Sequence, residues 1–163
     1  MQPGLVPAQR ALAEVAATQR DFDQLRKSSE EMIKAKPGAP DGYIFRALLE
    51  ANSQQESAAE ADLNKAIRVA PQDPFAYTKM AEWRVRQKRY AEAEKLYEEA
   101  LTRDPNYADA LRGLLSEYEV EKQPTKILKR LQEQIARVPK NADYYVLLAK
   151  VQEEKRDFSA AES

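Results

Sequence analysis

Apolar and polar positions recur along this chain with the period of an α-helix. In residues 74–107 the apolar side chains Tyr77, Met80 and Ala81 lie at i, i+3 and i+4, which places them on one helix face. A second stripe of the same period begins at Tyr90, and the polar letters RQKR separate the two stripes. The pattern predicts two amphipathic helices joined by a short turn.

This helix pair recurs every 34 residues, and prolines mark the period. Proline lacks the backbone N–H and disfavours helical geometry in the preceding residue, so each proline is expected to end the second helix of a pair. The prolines in register are Pro3, Pro37, Pro71, Pro105 and Pro139. The period predicts a single array with units at residues 6–39, 40–73, 74–107 and 108–141, a partial unit at 142–163, and residues 1–5 as the tail of a preceding unit.

Side-chain size follows the same period. Two columns of equivalent positions consist mostly of alanine, and small side chains allow two helix backbones to approach closely. The columns are Ala13, Ala47, Ala81, Leu115 and Ala149, and then Leu25, Ala59, Ala93, Ile127 and Ala161. They predict an all-α chain of closely packed helix pairs.

Segment 74–107 resembles a known repeat. The pattern W-x2-L-G-x2-Y, then A-x3-F, then P has counterparts there at equal spacing. The matching residues are Tyr77, Met80, Ala81, Arg84, Ala93, Tyr97 and Pro105. This is the pattern of the tetratricopeptide repeat (TPR) family, and the chain is similar to that family over nearly its whole length. The resemblance implies a right-handed α-solenoid of antiparallel helix pairs.

The composition removes most catalytic chemistry. The chain contains no histidine and no cysteine, so it lacks imidazole bases, thiol nucleophiles and the usual ligands of zinc, haem and iron–sulfur clusters. Adjacent carboxylates such as those of Glu98 and Glu99 diverge by about 100° around a helix and cannot act together on one bond. We therefore predict no enzymatic activity, no catalytic or metal-binding residues, and no cofactor.

Charge and hydropathy make nucleic acid and the membrane interior less favoured as partners than protein. The chain carries 26 basic and 27 acidic residues, a net charge of −1, so attraction to nucleic acid is not expected. RNA binding, known for a related solenoid of helix pairs, ranks below protein binding because of this near-zero charge, the 34-residue register and the prolines in the turns. No apolar run reaches the roughly 20 residues of a membrane span, so direct membrane insertion is not expected.

The resemblance implies a binding surface. In the family, the first helix of each pair lines a concave groove that binds peptides or helices. The corresponding residues are Ile44, Leu48, Phe75, Thr78, Glu82, Val85, Arg86, Arg112, Ser116 and Lys150, with Arg10, Glu14, Asp109 and Val146 in the same columns. Phe75, Thr78, Glu82 and Val85 lie more than a quarter turn from the apolar stripe and are expected to be accessible.

The predicted function is a non-catalytic protein–protein interaction scaffold that binds a peptide or helix of a partner in this groove. The alternative is a structural spacer, or a solenoid segment that self-associates through its open ends. Chaperone-binding members of the family grip a C-terminal carboxylate with asparagines and basic residues. The equivalent windows here contain no asparagine and place Glu14, Leu48 and Asp109 among those positions, so this mode of binding is not expected.

Three further expectations concern single aromatic residues and the chain ends. Trp83 is expected to pack between helices. Tyr145, not Tyr144, occupies the aromatic column of the last unit, and the chain stops at Ser163 just inside the expected second helix of that unit. Both ends interrupt the repeat, so we expect the chain to be part of a longer array.

Overall fold

The computed structural model describes the backbone of residues 5–161 and the side chains of residues 8–153. Over this range the chain forms nine α-helices and no strand, which confirms the predicted all-α solenoid. The helices are α1 (Leu5–Gln19), α2 (Phe22–Ala35), α3 (Asp41–Asn52), α4 (Glu56–Val69), α5 (Pro74–Arg86), α6 (Tyr90–Arg103), α7 (Ala108–Val120), α8 (Pro124–Arg137) and α9 (Ala142–Ala161). Pro3 and most of the predicted tail over residues 1–5 lie outside the described residues, and Leu5 belongs to α1.

Prolines end the second helices at the predicted places. Pro37, Pro71, Pro105 and Pro139 each stand two residues after the last residue of α2, α4, α6 or α8. Pro74 opens α5, where the missing N–H would have no helical partner, and Asp73 caps that helix by accepting a 2.9 Å hydrogen bond from the Phe75 amide.

The turn inside each of the first four pairs has one geometry. Each turn has one left-handed residue, one or two positions after the end of the first helix, with φ between 57° and 59°. These residues are Arg20, Gln54, Lys88 and Lys122. The amide of the next residue then bonds back to the last helical turn, as Arg89 does to the Arg84 carbonyl at 2.9 Å. These left-handed residues follow the same 34-residue period as the prolines.

Helix packing follows side-chain size. Ala47, Ala59, Ala81 and Ala93 are buried, and the pairs α3–α4 and α5–α6 contact each other along their lengths. In the fourth pair Leu115 and Ile127 replace the alanines, and α7 and α8 approach each other over fewer residues. Larger side chains at the closest approach therefore hold this pair apart.

The last unit differs from the prediction. The helix α9 continues without a break to Ala161, so the expected second helix of this unit is not separate from the first within the described residues. A turn requires a left-handed residue, which costs free energy that a packed second helix must offset.

The side of α9 that faces the core also differs from the prediction. The expectation that Tyr145 fills the aromatic column is wrong, because Tyr145 is 46% exposed and Tyr144 is fully buried. Tyr144 stands where other units have Gly42, Ala76 and Ala110, and its hydroxyl donates a 2.8 Å hydrogen bond to the Pro105 carbonyl.

Candidate functional site: the concave groove

The first helices of the units share one face, and this face holds an open cavity of about 410 Å³. We call it the concave groove. Its lining comes from α1, α3 and α5, from one residue of α4 and from the start of α7. Of the ten predicted site residues, the groove brings together Ile44, Leu48, Phe75, Glu82 and Arg86. Arg10, Glu14 and Asp109, from the same columns, also line it.

The floor of the groove is apolar. Ile44 is buried in the core and presents an edge to the cavity, while Leu48 and Phe75 are half-buried. Ala47 and Ala51 lie between them on α3. The small side chains of these alanines leave space above α3, so the floor can receive an apolar side chain of another molecule.

Arg10 forms one wall of the groove. Its guanidinium donates hydrogen bonds to Asp41 at 2.8 Å and to Glu14 at 3.0 Å, and it stacks 4.6 Å from the centre of the Phe75 ring. Burial alone would lower the pKa of Arg10, but the bonds to these carboxylates outweigh burial and raise it. Arg10 therefore remains charged and fixes α1 against α3 and α5.

The wall on α5 carries two different cations. Lys79 donates to both carboxylate oxygens of Glu82, at 2.7 and 2.9 Å, so this pair neutralises itself. Arg86 is exposed, lies 5.8 Å from the centre of the Trp83 ring, and forms no ion pair with the described residues. Arg86 is thus the cation of the groove that is available to a carboxylate of a bound molecule.

Tyr107 closes the groove at the α7 end. It stands in the turn before α7 and also lines the cavity. Burial, with the nearby charge of Asp109, raises the pKa of Tyr107 to about 12 despite the opposing effect of Arg10. The phenol is therefore neutral at physiological pH and can donate or accept a hydrogen bond.

Sequence reasoning missed Lys79, Trp83 and Tyr107 as groove residues. Trp83 is 6% exposed, which confirms its predicted packing role, yet its ring also lines the cavity. Tyr107 lies in a turn, where helical periodicity carries no signal. The signal that could have found Tyr107 is its position two residues before Asp109, a residue that was expected on the groove face.

The expectation that Thr78 is accessible is wrong. Thr78 is 1% exposed, and its hydroxyl donates a 2.9 Å hydrogen bond to the Pro74 carbonyl one turn earlier. The helix α5 packs between α3 and α7, so a short side chain on this face is covered by its neighbours. Val85 is half-buried against the core around Tyr77.

The other predicted positions are exposed but lie outside the cavity. Arg112 pairs with Asp109 on α7, while Ser116 and Lys150 face solvent on α7 and α9. Among the side chains of residues 8–153, no three carboxylates are grouped so that they could hold a metal ion. None of the helices described is both long and apolar enough to cross a membrane.

Comparison with known proteins matches one repeat of the chain to a family model. The family model described as tetratricopeptide repeat matches residues 74–107. Putative cellulose synthase operon protein C of Escherichia coli O157:H7 is 34% identical over 64 residues, which are 39% of this chain and 6% of that relative. The chain therefore spans a small part of the length of the curated relative it matches.

Solved structures share the fold over most of the chain. PilF of Pseudomonas aeruginosa aligns with a TM-score of 0.68 and 16% identity over 97% of this chain and 72% of that chain. The TPR2B domain of yeast Sti1, solved as a complex with pHsp70, aligns with a TM-score of 0.59 and 29% identity over 73% of this chain and 97% of that chain.

Proposed function

We propose that the chain is a non-catalytic scaffold that binds a segment of a partner protein in its concave groove. A tetratricopeptide-repeat model matches residues 74–107, and the described helices share the fold of solved tetratricopeptide-repeat structures. The segment is an extended peptide or one face of a helix. Such segments bind grooves through a few apolar anchors and through polar groups that fix their register.

The observation that carries this proposal is the arrangement of an apolar floor beside an available cation. Leu48 and Phe75 provide half-buried apolar surface on the floor of the groove. Arg86 lines the same cavity and has no ion-pair partner among the described residues. A bound segment would place an apolar side chain over the floor and a carboxylate near Arg86. Burial of apolar area supplies affinity, and the charged pair supplies orientation.

The ligand of the yeast Sti1 domain is a useful contrast. That domain was solved with pHsp70. The windows of this chain lack the asparagines of a carboxylate clamp and instead contain Glu14, Leu48 and Asp109. The proposed anchor is therefore the apolar floor, and the carboxylate that pairs with Arg86 belongs to a side chain of the segment.

Peptide selection from a random library, followed by affinity measurement on each variant, tests the proposal. We expect selected peptides to lose at least about tenfold in affinity when Leu48→Asp or Arg86→Glu alters the groove. Thr102→Asp is the matched control, because Thr102 is an exposed residue of α6 outside the groove. Peptides that bind both groove variants as well as the original chain would refute the proposal.

A further inference from the structure

Tyr97 of α6 reaches from a second helix toward the concave face. Leu63 also belongs to a second helix, α4, and it lines the concave groove. Tyr97 stands 34 residues after Leu63, so it occupies the same position of the next unit, with a longer side chain that ends in a hydroxyl. This position directs the tip of Tyr97 toward the concave face one unit further along, between α5 and α7.

Gly113 of α7 leaves room for the tip of Tyr97. Gly113 stands 34 residues after Lys79, whose side chain lines the concave groove. A Cβ atom at Gly113 would lie 2.5 to 2.7 Å from three atoms of Tyr97, namely Cε1, Cζ and the hydroxyl oxygen. The tip of the ring therefore fills the space in which a side chain of α7 would begin. We call the half-buried Gly113, with the Tyr97 hydroxyl beside it, the Gly113 notch.

The other units fill the equivalent space with different side chains. The two positions concerned lie 16 residues apart, one on a second helix and one on the first helix of the next unit. The pairs in chain order are Ser29 with Phe45, Leu63 with Lys79, Tyr97 with Gly113, and Leu131 with Leu147. Among these four pairs, only the third places a hydroxyl next to a position that has no side chain.

The Tyr97 hydroxyl has no hydrogen-bond partner among the described residues. By contrast, the hydroxyl of Tyr144 donates to the Pro105 carbonyl and holds α9 to the preceding unit. The ring of Tyr97 is buried, but its hydroxyl oxygen is not one of the fully enclosed atoms that lack a partner, as the two carboxylate oxygens of Glu117 are. The hydroxyl is therefore open to solvent and available to a bound molecule.

The surroundings of Tyr97 keep its proton in place. Burial is the main cause that raises the pKa of Tyr97, and the charges of Glu82 and Glu117 add to it. Glu82 lines the concave groove, so a groove residue acts on this phenol. Because the phenol stays protonated at physiological pH, it can donate a hydrogen bond to an acceptor in the groove.

The Gly113 notch continues the concave groove along α7. Asp109 lines the groove, and Gly113 lies one helical turn after it. Arg112 and Ser116, which the sequence placed among the groove residues, are exposed on α7 on either side of the notch. A segment that lies on Leu48 and extends toward α7 would therefore meet the notch.

We propose that the partner segment is an extended peptide whose backbone crosses α7 at the Gly113 notch, where the Tyr97 hydroxyl donates a hydrogen bond to one of its carbonyl oxygens. This inference rests on the proposed function and chooses between its two kinds of segment. A helix uses its interior carbonyls for its own hydrogen bonds, whereas an extended chain has carbonyls free for a partner. Because Gly113 has no side chain, the backbone of the segment can approach closely there.

The probes that test this inference are peptides of about 12 residues, which span about 40 Å when extended. They are selected from a random library on the original chain, and those whose affinity falls with Leu48→Asp or Arg86→Glu are kept. Affinity is measured by fluorescence anisotropy, and the urea midpoint of every protein variant is measured in parallel.

Tyr97→Phe should weaken binding about three- to tenfold, because it removes one neutral hydrogen bond and keeps the ring. The urea midpoint should stay nearly the same, since the hydroxyl bonds to no other part of the fold. Tyr118→Phe is the matched control, because it removes a hydroxyl that donates to Glu94 outside the groove. It should lower the urea midpoint and leave the affinity unchanged.

The double change Tyr97→Leu with Gly113→Lys copies the pair Leu63 and Lys79 of the preceding unit, so the variant is expected to fold. It removes the hydroxyl and fills the notch, and it should weaken binding at least about tenfold.

Replacing the amides of a peptide by esters, one at a time, identifies the accepting carbonyl, because an ester carbonyl is a weaker acceptor. One replacement should weaken binding to the original chain and have a smaller effect on binding to Tyr97→Phe. The far-UV circular dichroism of the complex should equal the sum of its components, because an extended segment adds no helix.

Three outcomes would overturn the inference and leave the proposed function standing. Peptides that depend on Leu48 and Arg86 but bind Tyr97→Phe as tightly as the original chain would remove the hydrogen bond. A gain of helix in the complex would remove the extended segment. An equal loss of affinity in Tyr118→Phe would show that binding follows stability. Peptides that depend on neither Leu48 nor Arg86 would refute the proposed function, and this inference with it.

Discussion

Arg84 donates a 2.6 Å hydrogen bond to Glu60 and thereby joins the first helix of the third unit to the second helix of the unit before it. The Arg84 guanidinium also lies 3.3 Å from Glu92 and is buried at 8% exposure. One unit later, Tyr118 and Glu94 repeat this bond with a neutral donor. In an array where each unit contacts mainly its neighbours, such bonds set how strongly consecutive units are coupled.

Arg84→Ala should lower the free energy of unfolding by about 1.5–3 kcal/mol, because it leaves the Glu60 carboxylate without its charged partner. Arg86→Ala, two residues along the same helix, should change it by less than about 0.5 kcal/mol, because Arg86 is exposed and forms no ion pair with the described residues. Urea unfolding at neutral pH measures both. Similar values for the two variants would contradict the assignment of buried and exposed faces on α5.

The pair of Arg84 and Glu60 should make the free energy of unfolding depend on pH in the acid range. The hydrogen bond from Arg84 lowers the pKa of Glu60, with burial acting in the opposite direction. A carboxyl with a lowered pKa contributes stability above its unfolded pKa of about 4.3 and loses it as pH falls. The stability difference between the original chain and Arg84→Ala should therefore shrink in acid. A difference that stays constant below about pH 4 would contradict this linkage.

Glu117→Gln should show the opposite dependence. Glu117 of α7 is 1% exposed, and neither carboxylate oxygen has a hydrogen-bond partner among the described residues. Burial is the main cause that raises the pKa of Glu117 to about 7, the neighbouring Glu121 carboxyl is the next, and the charge of Glu94 adds to them, although Lys126 opposes this effect. The neutral form is favoured in the folded chain, so its stabilising contribution is complete below about pH 4.3 and is lost as pH rises to about 7.

Chemical unfolding between about pH 4.5 and pH 8 measures this effect. We expect Glu117→Gln to become more stable relative to the original chain by roughly 2–4 kcal/mol across that range. Glu119→Gln, an exposed position on the same helix, should show no such trend. Parallel curves for the original chain and Glu117→Gln would mean that Glu117 finds a partner in solution.

Gly42→Ala should destabilise the chain although alanine favours helix over glycine by about 1 kcal/mol. A Cβ at Gly42 would lie 2.9 Å from the Ser29 carbonyl and 2.9 Å from the Ile33 amide, both backbone atoms of α2. We expect a loss of about 1–3 kcal/mol, because α2 and α3 must move apart. Gly38→Ala is the control, since no atom lies within 4 Å of its Cβ position. A stabilised Gly42→Ala variant would contradict the close approach of the two helices.

Ala93→Leu should lower the free energy of unfolding by about 1–3 kcal/mol, because Ala93 is fully buried where α5 and α6 approach. Ala91→Leu makes the same change at an exposed position of α6 and should be within about 0.5 kcal/mol of the original chain. Thermal or urea unfolding compares them. If Ala93→Leu is tolerated as well as Ala91→Leu, the α5–α6 pair is looser than the structure shows.

The sequence alone determined the array. Helix ends are local events, so the prolines and the Asp73 cap mark them without reference to the rest of the chain. The alanines at the helix contacts recur with the same period, because every pair meets the same steric requirement. Equal spacing therefore predicted the pairs and the turns of the first four units. Leu48, Phe75 and Arg86 were candidates for the groove because the resemblance to the tetratricopeptide repeat implied them.

Tertiary structure decided what each face touches. Thr78 is buried between neighbouring first helices, and Tyr107 reaches the groove from a turn. Tyr144 replaces Tyr145 in the core because its position meets the preceding unit, a contact across 39 residues to the Pro105 carbonyl. Burial depends on which side chains arrive from distant parts of the chain, and a periodic pattern describes a helix face without naming its neighbours. For that reason the concave groove and the burial of Glu117, which has no hydrogen-bond partner among the described residues, are properties of the folded array.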